Sequence, residues 1–131
     1  LGQFQKAEHK GALTGRPVKL AMLPPRDVLY KRIDARFDLM LEQGAMDEVR
    51  QFILRQLDPS LPLMKALGVA ALKAVLDQEM TIDEAAYIAK RDSRHYAKRQ
   101  MTWLRNNYNA QITLNTKLSE SLMESIFSLI R

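Results

Sequence analysis

The sequence predicts a mainly α-helical fold with one or two short strands, as part of an α/β protein. Apolar residues recur at spacings of three and four over most of the chain, which is the helical period. A short apolar run near the beginning is closed by Pro24 and Pro25, as expected for a strand that ends there. A strand followed by several helices, a strand and a helix fits part of an α/β protein.

Composition narrows the class of protein before any motif is considered. The 131 residues are 47% hydrophobic and 27% charged, as in an ordinary globular domain. No apolar run approaches the ~20 residues of a membrane span, and the absence of cysteine excludes disulfides and makes a cytoplasmic setting the expectation. His9 and His95 lie far apart in sequence, so we predict no metal site. A net charge of +5 favours an acidic partner, with nucleic acid or phosphate first.

The first predicted element is a strand over residues 18–23. Backbone groups of a buried strand need neighbouring strands, so we expect its partners to lie in sequence beyond this chain. The run AQITLN, residues 110–115, predicts a second short strand.

Two helices are predicted after the proline pair. The first begins at Arg26 and stops at Gly44, since glycine favours a helix end. The second covers about residues 46–57 and ends at a proline. The apolar stripe of the first helix consists of Leu29, Ile33, Phe37 and Met40.

The second half of the chain is also predicted to be helical. Residues 60–78 indicate two short helical pieces hinged near Gly68. Thr81 and Glu84 form a capping box that opens a long helix over about residues 82–106. A C-terminal amphipathic helix is marked by Leu118, Leu122, Ile126 and Leu129.

The long helix is basic and aromatic at its end, in the stretch SRHYAKRQMTWLR, residues 93–105. On a helical wheel of about 100° per residue, one face carries Arg91, Arg94, Lys98 and Arg105 with His95 and Thr102. The opposite face carries Ala89, Tyr96, Gln100, Trp103 and Leu104. We therefore predict that Tyr96 and Trp103 pack on the core and that the cations face outward. Such a stripe is either a solvated surface or a surface that binds a phosphate backbone. Repulsion between its like charges favours binding of a phosphate backbone.

A second basic pattern lies on the first helix, where Arg32 and Arg36 flank the apolar stripe. Their stems could shield apolar surface, or both guanidiniums could clamp a phosphate. Asp34, Asp38 and Glu42 lie on the far side and are expected to be solvated. No catalytic carboxylate pair, glycine-rich phosphate loop or metal-ligand cluster is present, so the chain has no self-sufficient active site.

Three motifs, in this order and at these distances, resemble the C-terminal part of the tRNA dimethylallyltransferase (tRNA isopentenyl transferase) family. They are PPRDVLYKRIDARFDLMLEQGAMDEVRQFI, LDPSLPLMKALGV and RHYAKRQMTWLR, and the resemblance covers about residues 17–105. It implies a P-loop α/β core with an inserted helical domain, whose phosphate loop and catalytic aspartate lie in an N-terminal half absent here. Residues 1–16 would then be the tail of the inserted domain, and residues 17–131 the C-terminal part of the core.

The resemblance also implies a reaction, namely transfer of a dimethylallyl group from dimethylallyl diphosphate to the exocyclic amine of the adenine 3′ to the tRNA anticodon. Mg²⁺ would be bound mainly by the N-terminal half, and this chain, with no catalytic residue of its own, is expected to be inactive alone. Arg36 matches the family's diphosphate-binding arginine, with Arg32 as second choice. The positions that match tRNA-contacting stretches are Lys65, Ala66, Leu67, Gly68, Val69, Arg94, Lys98, Arg99, Gln100, Thr102 and Arg105.

The sequence departs from the family pattern at three positions. Val69 stands where an aromatic residue commonly follows the glycine, His95 where glutamine is usual and Ser93 where threonine is usual. Residues 106–131 carry no assignable motif. Two alternatives stay open, a free-standing helical RNA- or DNA-binding module without catalysis and the C-terminal half of a different P-loop kinase-like transferase.

Overall fold

The structure is a computed structural model that describes residues 18–56, 58, 60–116 and 119–130. The predicted tail, residues 1–16, lies outside the described residues. Within them the fold is mainly helical with two short strands, as predicted. The elements in chain order are β1 (Leu20–Met22), α1 (Arg26–Glu42), α2 (Ala45–Leu54), a 3₁₀ turn (Pro62–Lys65), α3 (Val69–Leu76), α4 (Ile82–Asn107), β2 (Ile112–Leu114) and α5 (Glu120–Ile130).

β1 and β2 form a two-stranded parallel sheet in which Leu20 is opposite Ile112. The N–H of Leu23 donates to the carbonyl of Leu114 at 2.8 Å, which extends the pairing beyond the strand. Parallel strands need a long crossover, and α1 to α4 provide it. The prediction that all strand partners of residues 18–23 lie beyond this chain is therefore wrong, because β2 pairs with one edge of β1.

Glycine and proline set the ends of α1 and α2. α1 starts directly after Pro25 and carries Asp27 in its first turn, where the helix dipole favours an acid. Gly44 follows α1 and caps the start of α2 with a left-handed φ of +96°. The predicted stop at Gly44 is confirmed, and the chain reverses there because glycine adopts positive φ without steric cost.

The hydrophobic core lies where α1, α2, α3 and α4 meet. Phe37 is the one member of the predicted α1 stripe that is buried. No described residue buries a polar or charged side chain, so this core is held by apolar packing. Its buried members are Phe37, Ala45, Val49, Ala71, Leu72, Ala85 and Ala89.

α4 begins with the predicted capping box. The Thr81 hydroxyl accepts a hydrogen bond from the Glu84 N–H at 3.2 Å, and the Glu84 carboxylate accepts one from the Thr81 N–H at 2.8 Å. With 26 residues the helix is roughly 39 Å long, far longer than α3, against which its first half packs. No helix of the described residues is long and apolar enough to cross a membrane.

The buried face of α4 changes along the helix. Ala85 and Ala89 are buried in the core cluster, whereas the buried residue of the second half is Met101. Met101 lies about 120° around the helix axis from Ala89. The second half of α4 therefore presents a different set of side chains to solvent from the set that a single wheel predicts.

Candidate functional site

The second half of α4 carries a solvent-exposed basic face, which we define by the residues lining a shallow depression of about 490 Å³. The depression is lined by His95, Lys98, Arg99, Thr102, Trp103, Asn106 and Asn107. None of these residues is acidic. Three of the predicted tRNA-contacting residues, Lys98, Arg99 and Thr102, thus share one surface.

Trp103 lines this depression, contrary to the prediction that it packs on the core, whereas Tyr96 lines a groove between α1 and α4. Trp103 is 55% exposed and Tyr96 is 48% exposed, so neither fixes the helix to the core. The guanidinium of Arg99 lies over the Tyr96 ring, 5.7 Å from its centroid. The wheel failed because it assumed one buried face for the whole helix, whereas α4 changes packing partners midway. In the sequence, only the predicted length of α4 indicated that this helix could contact different neighbours along its course.

Two cations of α4 face inward rather than outward. Arg94 donates from Nη1 to Oδ1 of Asp34 on α1 at 2.6 Å, and Lys90 pairs with Asp38 of the same helix. The predicted outward direction of Arg94 is therefore wrong, and Asp34 and Asp38 are ion-paired, although the Asp38 side chain is 52% exposed. Opposite charges attract across the α1–α4 interface, where partial burial weakens solvent screening. Whether Arg94 also contacts RNA stays a prediction.

An apolar groove of about 560 Å³ separates α1 from α4 beside the end of β1. We call it the α1–α4 groove. Its polar residues include Arg36 from α1 and Gln100 from α4, which were predicted to bind different substrates. Arg36 is exposed and makes no hydrogen bond or ion pair within the described residues, whereas Arg32 does not line the groove. Apolar lining residues include Leu23, Leu29, Ile33, Met40, Met101 and Leu104.

The predicted tRNA-contacting segment 65–69 lies next to this groove. Leu67 lines both the α1–α4 groove and a second groove of about 610 Å³ between α2 and α3. The second groove is also lined by Ala66, Gly68 and Val69, whereas Lys65 is exposed at the end of the 3₁₀ turn.

Gly68 has a structural reason to be glycine. It caps α3 with a φ of +91°, and a Cβ there would lie 3.1 Å from Cε2 of Phe37. Left-handed backbone and close packing both exclude a side chain. This requirement is independent of RNA, so the presence of glycine is not evidence for the predicted approach of RNA to this backbone.

Six of the predicted residues fall into two groups. Arg36, Leu67 and Gln100 line the α1–α4 groove, and Lys98, Arg99 and Thr102 lie on the basic face of α4. Arg105 belongs to neither group and borders a third depression, close to the α4–β2 connection.

Acidic groups do not converge in the described part of the chain. No three His, Cys, Asp or Glu side chains come together there in a way that could hold a metal ion. The Mg²⁺ that the resemblance implies was predicted to bind mainly to the N-terminal half, and this stays a prediction. Local hydrogen bonds lower the pKa of Glu84 at the start of α4 and of Asp58, but neither carboxylate lines the α1–α4 groove or the basic face.

Sequence comparison places residues 1–107 in a family whose model is described as IPP transferase. A tRNA dimethylallyltransferase of Maricaulis maris is 51% identical over 82% of this chain and 35% of its own length. One from Hyphomonas neptunium is 43% identical over the whole chain and 42% of its own length. The chain thus spans less than half the length of these curated relatives, and it matches their C-terminal region.

Structural comparison gives the same result. The tRNA delta(2)-isopentenylpyrophosphate transferase of Staphylococcus epidermidis superposes with a TM-score of 0.76 at 30% identity, over 86% of this chain and 37% of that one. The full-length tRNA isopentenylpyrophosphate transferase of Bacillus halodurans gives 0.75 at 36% identity, over 90% and 40%. The predicted fold, the C-terminal portion of this architecture, is confirmed.

Proposed function

This chain belongs to the IPP transferase family, and on that premise we propose that it provides substrate-binding surfaces of a tRNA dimethylallyltransferase. The donor is dimethylallyl diphosphate, and the acceptor is the exocyclic amine of the adenine 3′ to the anticodon. Family membership disfavours both alternatives, the unrelated nucleic-acid-binding module and the kinase-like transferase.

In the proposed reaction, a bond forms between the adenine amine nitrogen and the first carbon of the dimethylallyl group. The bond from that carbon to the diphosphate oxygen breaks, and the diphosphate leaves with the bonding electron pair. Negative charge therefore grows on the leaving group, and a fixed cation beside it stabilises the transition state. The amine proton must pass to a base, and we assign no residue of this chain to that role.

Arg36 at the α1–α4 groove is the observation that carries the proposal. Dimethylallyl diphosphate combines a small branched hydrocarbon with an anionic head. The groove combines an apolar lining with an arginine that has no ion pair among the described residues. A guanidinium without an acidic partner is available for bidentate contact with phosphate oxygens. Arg32 lies outside the groove and is the weaker candidate.

The basic face of α4 is the proposed contact for the tRNA anticodon stem-loop. Lys98 and Arg99 present positive charge with no carboxylate in the same depression. Phosphate contacts of this kind position an RNA without reading its sequence. Gln100 lines the groove from the same helix, so α4 joins the two proposed substrate sites.

A chimaera tests this proposal. The present chain would replace the matching C-terminal segment of the Hyphomonas neptunium relative, which it matches over its whole length. We expect the chimaera to transfer a labelled dimethylallyl group to an anticodon stem-loop RNA, with the parent relative as positive control. A folded chimaera that binds neither dimethylallyl diphosphate nor the stem-loop RNA would contradict the proposed function.

Arginine variants of the chimaera test the assignment of the diphosphate site. Arg36→Ala should raise the KM for dimethylallyl diphosphate by roughly 10- to 100-fold, because it removes a charge-assisted hydrogen bond, while RNA affinity stays the same. Arg32→Ala is the matched control and should have a smaller effect. An Arg36→Ala effect confined to RNA binding would show that Arg36 contacts RNA and not the diphosphate.

A further inference from the structure

We propose that Trp103 is a stacking platform for an unpaired RNA nucleotide, flanked by the cations of the basic face. Its indole is 55% exposed and lines the depression together with Lys98 and Arg99. This inference rests on the proposed function, because it specifies how the RNA substrate meets α4. The resemblance marks the stretch of residues 98–105 as tRNA-contacting but assigns no stacking role to Trp103.

The chemistry of the depression matches a nucleotide in three ways. The indole face can stack with any base, whatever the sequence. Lys98 and Arg99 can neutralise phosphates on either side of that base. The amide side chain of Asn106 and the hydroxyl of Thr102 can hydrogen-bond to sugar, phosphate or a base edge.

Two hydrogen bonds within the depression join residues of α4 to one another. The Thr102 hydroxyl donates to the Lys98 carbonyl at 3.0 Å, and the Asn107 amide donates to the Trp103 carbonyl at 3.1 Å. Arg99 stacks over Tyr96 rather than pairing with an acid. A guanidinium held this way keeps its charge available, and Trp103 lines the basic face while Tyr96 lines the α1–α4 groove.

An unpaired nucleotide fits better than a duplex. A base must leave its helical stack before its face can meet an aromatic side chain, and the loops of folded RNA present such bases. Duplex RNA offers phosphates to Lys98 and Arg99 but no free base to Trp103. The two kinds of RNA therefore separate stacking from simple charge attraction.

The single tryptophan of this chain makes the test direct. The 131-residue protein would be titrated with an anticodon stem-loop RNA, a single-stranded oligonucleotide and a blunt RNA duplex. Binding would be followed by anisotropy of labelled RNA and stacking by quenching of Trp103 fluorescence. We expect saturable quenching by the first two probes, and duplex binding without quenching.

Substitution supplies the second readout. Trp103→Ala should weaken binding of the stem-loop by roughly 5- to 100-fold, the range for loss of one stacked base. Trp103→Phe should bind with an affinity between those of the unmodified chain and Trp103→Ala. The dependence of affinity on salt should stay the same, because no charge is removed. Tyr87→Ala is the matched control, since Tyr87 is 65% exposed on the same helix but lies among Glu79, Asp83 and Glu84; it should leave affinity unchanged.

Three results would overturn the inference. RNA binding without quenching would leave the proposed tRNA contact intact and refute the stacking role alone. Trp103 emission already shielded from acrylamide before RNA is added would show that polypeptide covers the indole. Absence of RNA binding with every probe would refute the inference together with the proposed RNA contact, while the transfer assay of the chimaera tests the enzyme assignment separately.

Discussion

Arg94 on α4 donates a hydrogen bond to Asp34 on α1, with Nη1 2.6 Å from Oδ1 and with side chains 24% and 38% exposed. Lys90 and Asp38 form a second pair between the same two helices. The partners are four residues apart on each helix, so the pairs lie one turn apart along the interface. Both pairs lie across the interface between α1 and α4, the two helices that carry Arg36 and Gln100 of the groove.

The first prediction concerns the free energy of the Arg94–Asp34 pair. A double-mutant cycle with Arg94→Ala and Asp34→Ala should give a coupling energy of about 0.5–1 kcal/mol, near the upper end for partly exposed pairs. Urea unfolding followed by circular dichroism measures it. The matched control is Arg91 with Asp92, a pair of adjacent, more exposed residues on α4, for which we expect coupling close to zero. Equal coupling in the two cycles would contradict the expected difference between them.

The second prediction separates the two kinds of cation on α4. Lys98→Ala should reduce the slope of log affinity for RNA against log salt by roughly 0.7–0.9, the value for one lost phosphate contact. Arg94→Ala should leave this slope nearly unchanged, because Asp34 already neutralises Arg94. Fluorescence anisotropy of labelled stem-loop RNA between low and moderate salt measures the slopes of both variants. An equal loss of slope in both variants would show that Arg94 also contacts RNA phosphates.

The third prediction compares two glycines of similar φ. Gly44 and Gly68 have φ of +96° and +91°, but a Cβ at Gly44 would meet nothing within 4 Å, whereas one at Gly68 would meet Phe37. Gly44→Ala should therefore cost only the left-handed strain, about 1–2 kcal/mol. Gly68→Ala should cost about 1–3 kcal/mol more, because it also overpacks the core.

Thermal or urea unfolding of both variants checks this difference between the glycines. In a double-mutant cycle, Gly68→Ala should cost less in the Phe37→Leu background than in the unmodified chain, since the leucine side chain lies farther from the new methyl group. Equal destabilisation by the two glycine substitutions would mean that the contact with Phe37 carries no energetic cost.

The fourth prediction concerns pH. Hydrogen bonds from the backbone and side chain of Thr81 hold the pKa of Glu84 below its usual 4.5. A depressed pKa in the folded state means that the stabilisation is present above about pH 4.5 and is lost as pH falls through the folded-state pKa. Glu84→Gln should therefore unfold more easily than the unmodified chain at pH 7. The difference should shrink in acid, and a constant difference from pH 7 to pH 3 would contradict this origin.

Most boundaries of secondary structure could be predicted because each depends on nearby residues. Pro25 precedes α1, Gly44 separates α1 from α2, and the Thr81–Glu84 capping box opens α4. These devices satisfy or break backbone hydrogen bonds within a few residues of their own position. The sequence alone was therefore sufficient to place them, and the motif resemblance was sufficient to indicate the family.

The orientation of side chains on α4 could not be predicted in the same way. The sequence determined that residues 82–107 form one basic helix, since capping and period are local properties. Only the tertiary structure decided that Arg94 turns inward to Asp34 and that Trp103 turns outward beside Lys98. A long helix crosses more than one neighbour, and each neighbour buries the face that it meets. The residues that α1 supplies to that contact lie about sixty positions away, beyond the reach of any local pattern.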